Sequence, residues 1–215
     1  MGKLGTALVN SVLVCGVTLI VSLFFGAMAA FAIARMRWKL SEFMHTFFLI
    51  GMMVPVHCVL IPLFVRFAKL GLTNSQGGLM IPYITFSLPM TIFLLTGFFR
   101  SMPGEMFEAA AIDGCNSFQT LYKVIVPMLM PALVSCALFQ FMWSCNDFMG
   151  PLLYVQTPAK YPMSLFVKLS MDGDTGFAWN RILALSLISI LPQLIVFFCA
   201  QDQFVEGISA GAVKG

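Results

Sequence analysis

Gly207, Ser209 and Gly211 stand in the G-x-S-x-G spacing that presents a serine nucleophile on a strand-to-helix turn. That chemistry also needs a preceding strand and downstream acid and base partners, and only four residues follow Gly211. The match is read as chance. No G-x-x-x-x-G-K-[ST] phosphate loop occurs, so a nucleotide must be held by a separate chain. His45 and His57 lie twelve apart, and each reads as an interhelical hydrogen-bond donor or a pathway residue instead of a catalyst, the donor reading being favoured. The six cysteines, Cys15, Cys58, Cys115, Cys136, Cys145 and Cys199, form no C-x-x-C pair and fall mostly in apolar runs. Neither a disulfide nor a metal site is expected from them.

The elements that must carry these residues are set by composition. Of 215 residues, 60% are hydrophobic and 10% charged, with a mean hydropathy of +0.93, against roughly 25% charged in a soluble domain. The surplus apolar surface has to face lipid. A crossing helix needs about 20 apolar residues, and five runs qualify: Leu8–Ala34, Phe43–Phe64, Leu79–Phe99, Met128–Ser144 and Ile182–Ala200. None holds Asp, Glu, Lys or Arg, which argues against a proton relay or an ion site at membrane depth. The first run is too long for a signal-peptide core and is expected to stay as a span. Along it Ser22, Gly26, Ala30 and Ala34 make a small-residue stripe for close helix packing. Pro55, Pro62, Pro82, Pro89, Pro131 and Pro192 predict bent helices, either around a pathway or as plain structural kinks. The cluster Arg35, Arg37, Lys39 directly after the first span places that end in the cytoplasm. Arg100–Pro127 is then cytoplasmic, while Arg66–Gly78 and the segment from Cys145 to Asn180, with its amphipathic piece Tyr161–Met171, are external. The net charge of +3 is dispersed, and nucleic acid is not a partner.

Residues 101–127 are too polar for lipid and read as helix, turn, helix. Ser101 and Pro103 start the first helix, with Glu105 and Glu108 where its dipole favours negative charge. Asp113-Gly114 stops it, and Asn116 or Ser117 caps a second helix toward Tyr122. Phe107, Ala110 and Ala111 share one face; Phe118, Leu121, Tyr122 and Ile125 share another. Such a knob either packs on its own bundle or docks in a groove on a partner.

Glu108-Ala109-Ala110, Asp113-Gly114, Ile125, Pro127 and Pro131, in that order, resemble the cytoplasmic signature loop of inner-membrane permeases of binding-protein-dependent ABC importers. Val126 stands where that family often has Leu. The ending Gln201-Asp-Gln-Phe-Val-Glu-Gly-Ile-Ser-Ala-Gly-Ala-Val-Lys-Gly215, with Asn146-Asp147-Phe148 and Pro151-Leu152, is similar to the second, smaller permease of the maltose-type carbohydrate subfamily.

The resemblance implies an all-α integral membrane fold, a single permease domain over residues 1–215 with a coupling loop at 101–127 in the bacterial inner membrane. Such permeases usually have six spans, and this sequence begins at what corresponds to the second. Glu108, Ala109, Ala110, Asp113 and Gly114 are then expected to contact an ATPase subunit, which binds ATP and Mg itself; this chain is expected to bind no cofactor and to catalyse nothing. The implied partners are a homologous second permease, two ATPase subunits, an external solute-binding protein and the bilayer. The implied cargo is a sugar, with glycerol 3-phosphate or another polyol as the alternative and a free-standing channel or secondary transporter as the reading from a different class. Trp143, Asn146 and Asp147 are the candidate pathway residues, since rings stack on sugar faces and amides bond hydroxyls.

Overall fold

A backbone immersed in hydrocarbon must satisfy its N–H and C=O groups within its own segment, so long apolar runs fold as helices. The computed structural model describes residues 2–36, 38–170 and 179–212, and every regular element among them is helical. Arg37, Met171 and Val213-Lys214-Gly215, which figure in the orientation, the amphipathic piece and the terminal segment, lie outside the described residues. In chain order the helices are α1 (Gly2–Arg35), α2 (Ser41–Met52), α3 (Val56–Lys69), α4 (Gln76–Ser101), α5 (Glu105–Ile112), α6 (Ser117–Gln119), α7 (Val126–Met128), α8 (Met130–Asn146), α9 (Met149–Tyr154), α10 (Met163–Leu169) and α11 (Trp179–Ala212). A π-helical stretch, Thr120–Ile125, joins α6 to α7.

Among the described residues, Leu4–Arg35, Gln76–Ser101 and Trp179–Val205 are long and apolar enough to cross a membrane, and two bent pairs bring the possible number to five. The bends have covalent causes. Composition presents Phe43–Phe64 as one run, but α2 ends at Met52 and α3 begins at Val56. Pro55 stands at the break with φ −65° and ψ 122°. It has no N–H to continue α2 and pushes the residue before it out of the helical region. Tyr122–Met128 meets α8 at 62°, between Pro127 and Pro131. Pro131 falls in the first turn of α8, where an N–H would have no intrahelical partner anyway.

The chain forms two compact units. One comprises Met1–Val21, Val54–Phe86 and Leu138–Cys199. Its core gathers Val14, Phe67, Leu79, Tyr83, Tyr154 and Val155. Tyr154 lies edge-on to Phe64 and Phe67, at 5.9 and 5.6 Å between ring centres. Burial raises the Tyr154 phenol above its ordinary pKa, so the ring packs as a neutral group. A polar belt holds one end of this unit. Asn74, at φ 56°, a conformation Asn tolerates better than most residues, accepts from the backbone N–H groups of Gln156 and Thr157 through Oδ1. Its carbonyl accepts from Lys160 Nζ at 2.6 Å. Asn10 donates to the carbonyls of Ala159 and Tyr161 and accepts from Gln76.

The second unit comprises Ser22–Met53, Ser87–Ala137 and Ala200–Gly215. Ala30, Leu95, Phe99, Ile125, Leu129, Ala132 and Cys136 form its core, with Phe31 edge-on to Phe99 at 5.6 Å. The small-residue stripe of α1 faces α4. Ser22 and Ser87 share a hydrogen bond of 2.8 Å, and a Cβ at Gly26 would sit 2.6 Å from Thr91 Cγ2. Helices in lipid gain little from hydrophobicity against each other, so this close approach and a bond worth about 0.6 kcal/mol carry the contact.

Gly26→Val is expected to cost about 1–3 kcal/mol by overpacking, read as a lower thermal unfolding midpoint in detergent. Adding Thr91→Ala should recover most of the loss, and no recovery would mean that α4 is not what the stripe packs against.

Candidate functional site

The last carbonyls of a helix have no intrahelical donor, and α4 ends where the chain leaves its apolar run. Arg35, in the last turn of α1, supplies those donors: its guanidinium donates to the carbonyls of Phe99 and Met102. A cation is also favoured there by the dipole of α4. Arg100, one residue after Phe99, pairs with Glu42 of α2 at 2.8 Å, an exposed bridge that contributes little on its own. The segment 101–127 therefore leaves from a fixed point.

From that point α5 runs for eight residues with Glu105 and Glu108 in its first turn. Asp113-Gly114 ends it as its residue types require. Gly114 has φ 77°, the left-handed conformation glycine adopts without strain. Cys115 N–H then reaches back to the Ala110 carbonyl at 2.9 Å, a Schellman closure. Asn116 and Gln119 cap the next turn reciprocally: Gln119 N–H donates to Asn116 Oδ1 at 2.8 Å, and Asn116 N–H to Gln119 Oε1 at 3.0 Å. This is a capping box with an Asn in the usual Ser or Thr place. The π-helical stretch comes directly ahead of Val126-Pro127.

Ala110 is buried, whereas Glu108, Ala109, Asp113 and Gly114 are exposed. Ile112 is 86% exposed, with Phe118 at 65% and Tyr122 at 69%. Ile125 and Leu129, by contrast, are sealed in the core of the same unit. The knob is thus rooted at its C-terminal end and presents a small, acidic and partly apolar tip. The side chains of Phe107, Ala111 and Leu121 lie outside what the structure describes. Sequence reasoning counted Arg35 only toward orientation and gave Ile112 no role; a lone arginine at a span end carries no sign of which carbonyls it will meet.

The pathway candidates separate into two settings. Trp143 lies edge-on to Tyr83 at 5.4 Å. Tyr83 donates its hydroxyl proton to Asp147 Oδ2 at 2.8 Å. Asp147 also accepts from the backbone N–H groups of Met149 and Gly150, and its carbonyl accepts from Ser164. Its carboxylate is thus committed to starting α9. Trp143 and Asp147 line a pocket of only about 20 Å³, beside His57. Asn146 faces elsewhere. It donates to the Met142 carbonyl at 2.8 Å and to Gln193 Oε1 at 3.1 Å. With Gln193, Ser11, Ser164 and Ser189 it lines a cavity of about 150 Å³. Gln193, Ser11, Ser164 and Ser189 escaped sequence reasoning. A glutamine next to Pro192 inside an apolar run was the available signal. Among the described residues, no group of three or more His, Cys, Asp or Glu is placed to hold a metal ion.

Residues 22–207 match the family described as binding-protein-dependent transport system inner membrane component. The trehalose transport system permease SugB of Mycobacterium tuberculosis is 32% identical, over 98% of this chain and 77% of its own length. The starch degradation products transport system permease AmyC of Thermoanaerobacterium thermosulfurigenes is 31% identical, over 99% of this chain and 77% of its own. Among solved structures, a bacterial ABC transporter that imports the acidic polysaccharide alginate shares the fold, with a TM-score of 0.81 and 23% identity over 95% of this chain and 76% of that one.

Arg35→Met should strip two donors from the end of α4 and loosen the segment beyond it. Hydrogen–deuterium exchange of backbone amides across residues 99–112 is expected to speed up severalfold relative to the native chain. Unchanged exchange there would show that the guanidinium does not hold the segment.

Proposed function

The chain belongs to the family of binding-protein-dependent transport system inner membrane components, and from that premise we propose that it conducts a carbohydrate and takes its driving force through α5. It is a multi-pass inner-membrane subunit of an ABC importer, a non-enzymatic component that works with an ATPase and a solute-binding protein. In the proposed assembly a homologous second permease completes the pathway, and two ATPase subunits bind ATP and Mg below it.

One observation carries the coupling reading: a short helix, closed by glycine at φ 77°, holds Glu108, Ala109, Asp113 and Gly114 exposed at its tip while its continuation is anchored in a core. Small residues at the tip allow a partner's backbone to close on it. Movement of the tip then reaches the membrane helices through two rigid connections, Arg35 on one side and Ile125 with Leu129 on the other. A motor subunit shifts the bundle between states only if it binds this tip differently in each.

The cargo reading rests on chemistry of the same kind. Relatives that carry trehalose and starch degradation products are named for carbohydrates. The cavity beside Asn146 offers amides and hydroxyls without a fixed charge, which suits a neutral polyhydroxy solute better than a phosphorylated one. Within the pathway Asn146 and Gln193 would bond hydroxyls, and Trp143 would offer a ring face from the neighbouring pocket. Asp147 would act by holding α9, since its oxygens are already engaged.

Gly114→Trp should reduce recovery of the ATPase subunit with the purified chain by tenfold or more, whereas Gly114→Asn, which tolerates the same backbone conformation, should retain most of it. Equal recovery with both variants and the native chain would remove α5 as the docking element. Gln193→Leu should lower uptake of trehalose or maltose, assayed in parallel, by about tenfold for the loss of one or two hydrogen bonds. ATPase recovery should stay native, which separates failure of the pathway reading from failure of the docking reading.

A further inference from the structure

Cys15 of α1 and Cys145 of α8 are 130 positions apart in the chain, yet their Sγ atoms stand 3.3 Å from each other. Both belong to the same compact unit. A disulfide requires about 2.05 Å, so the sulfurs need to approach by only about 1.3 Å more. The two differ in access. Cys15 is 3% exposed, whereas Cys145 is half-buried and lines the cavity that also holds Asn146 and Gln193.

We propose that Cys15 and Cys145 form an oxidisable dithiol, which a small disulfide-bearing oxidant entering by that cavity closes into an α1–α8 disulfide. The order of events is set by the exposure. The Cys145 thiol loses its proton and attacks one sulfur of the oxidant, forming a mixed disulfide and releasing one thiol. Cys15, deprotonated in turn, attacks the Cys145 sulfur and expels the second thiol. Two protein thiols are oxidised to one disulfide, and the oxidant's disulfide is reduced to two thiols, so electrons and protons balance. Cys15 has no route of its own to the oxidant and reacts only through its neighbour. Without the loop closure that folding has already supplied, such a pair would have to meet across 130 residues of chain. The product would tie α1 to α8 beside the cavity.

The test uses the full chain in membranes with Cys58→Ser and Cys199→Ser, which removes the two exposed cysteines. Membranes are treated with bis(2-hydroxyethyl) disulfide, free thiols are blocked with N-ethylmaleimide, and peptides are mapped by mass with and without reductant. The expected product is a linked peptide pair carrying Cys15 and Cys145 within one chain, which disappears on reduction. With Cys15→Ser the oxidant should remain attached at Cys145, and with Cys145→Ser no adduct should form at Cys15. Blocked thiols at both positions in the treated parent, an adduct at Cys145 that never closes, or adduct formation at Cys15 without Cys145 would each overturn the proposal.

Discussion

A helix that ends at the edge of a hydrocarbon layer leaves carbonyl groups which neither lipid nor its own backbone can satisfy. In this chain Arg35 meets that demand at the end of α4 by bonding Phe99 and Met102, and Ser101 donates to the Phe98 carbonyl beside them. Everything proposed for residues 101–127 depends on this junction. A guanidinium is suited to it because its donors lie in a rigid plane, it stays charged, and the negative end of the helix dipole attracts it. A lysine in the same place would offer a mobile point charge. The result is that a segment too polar for the membrane departs from a defined place and direction.

The rest of that segment divides its labour by residue type. Glycine at position 114 and the Asn116–Gln119 box fix turns with local bonds, so the tip holds its shape without a core of its own. Ile125 and Leu129 then return the chain to the apolar interior. A tip made rigid by caps and rooted at both ends can transmit a displacement; a floppy loop of the same composition would absorb it.

This local character explains what the sequence made legible. Asp113-Gly114 as a stop, Asn116 as a cap and the small-residue stripe of α1 are signals spanning a few residues each, and the structure realises them. The helical fold followed from composition alone. The features that escaped notice act across distance. Arg35 reaches carbonyls more than sixty residues away, and Asn146 meets Gln193 across 47. A proline announces that a helix breaks but not by what angle. Trp143, Asn146 and Asp147 stand out in the sequence as a polar and aromatic group, but their geometry does not, because adjacent positions near a helix end diverge in direction.

Asn146 and Asp147 show how much that divergence decides. An ionised carboxylate only accepts, and Asp147 already receives Tyr83 O–H together with the N–H groups of Met149 and Gly150. Little capacity remains for a solute, and a charge so engaged serves to hold backbone. An amide both donates and accepts. Asn146 spends its NH₂ on Met142 and Gln193, and the NH₂ of Gln193 returns only a long contact of 3.4 Å to Asn146. Donor capacity at Gln193 and lone pairs on Ser164 and Ser189 therefore remain turned toward one small cavity. Of two neighbouring polar residues at the end of α8, the carboxylate holds backbone and the amide lines the cavity.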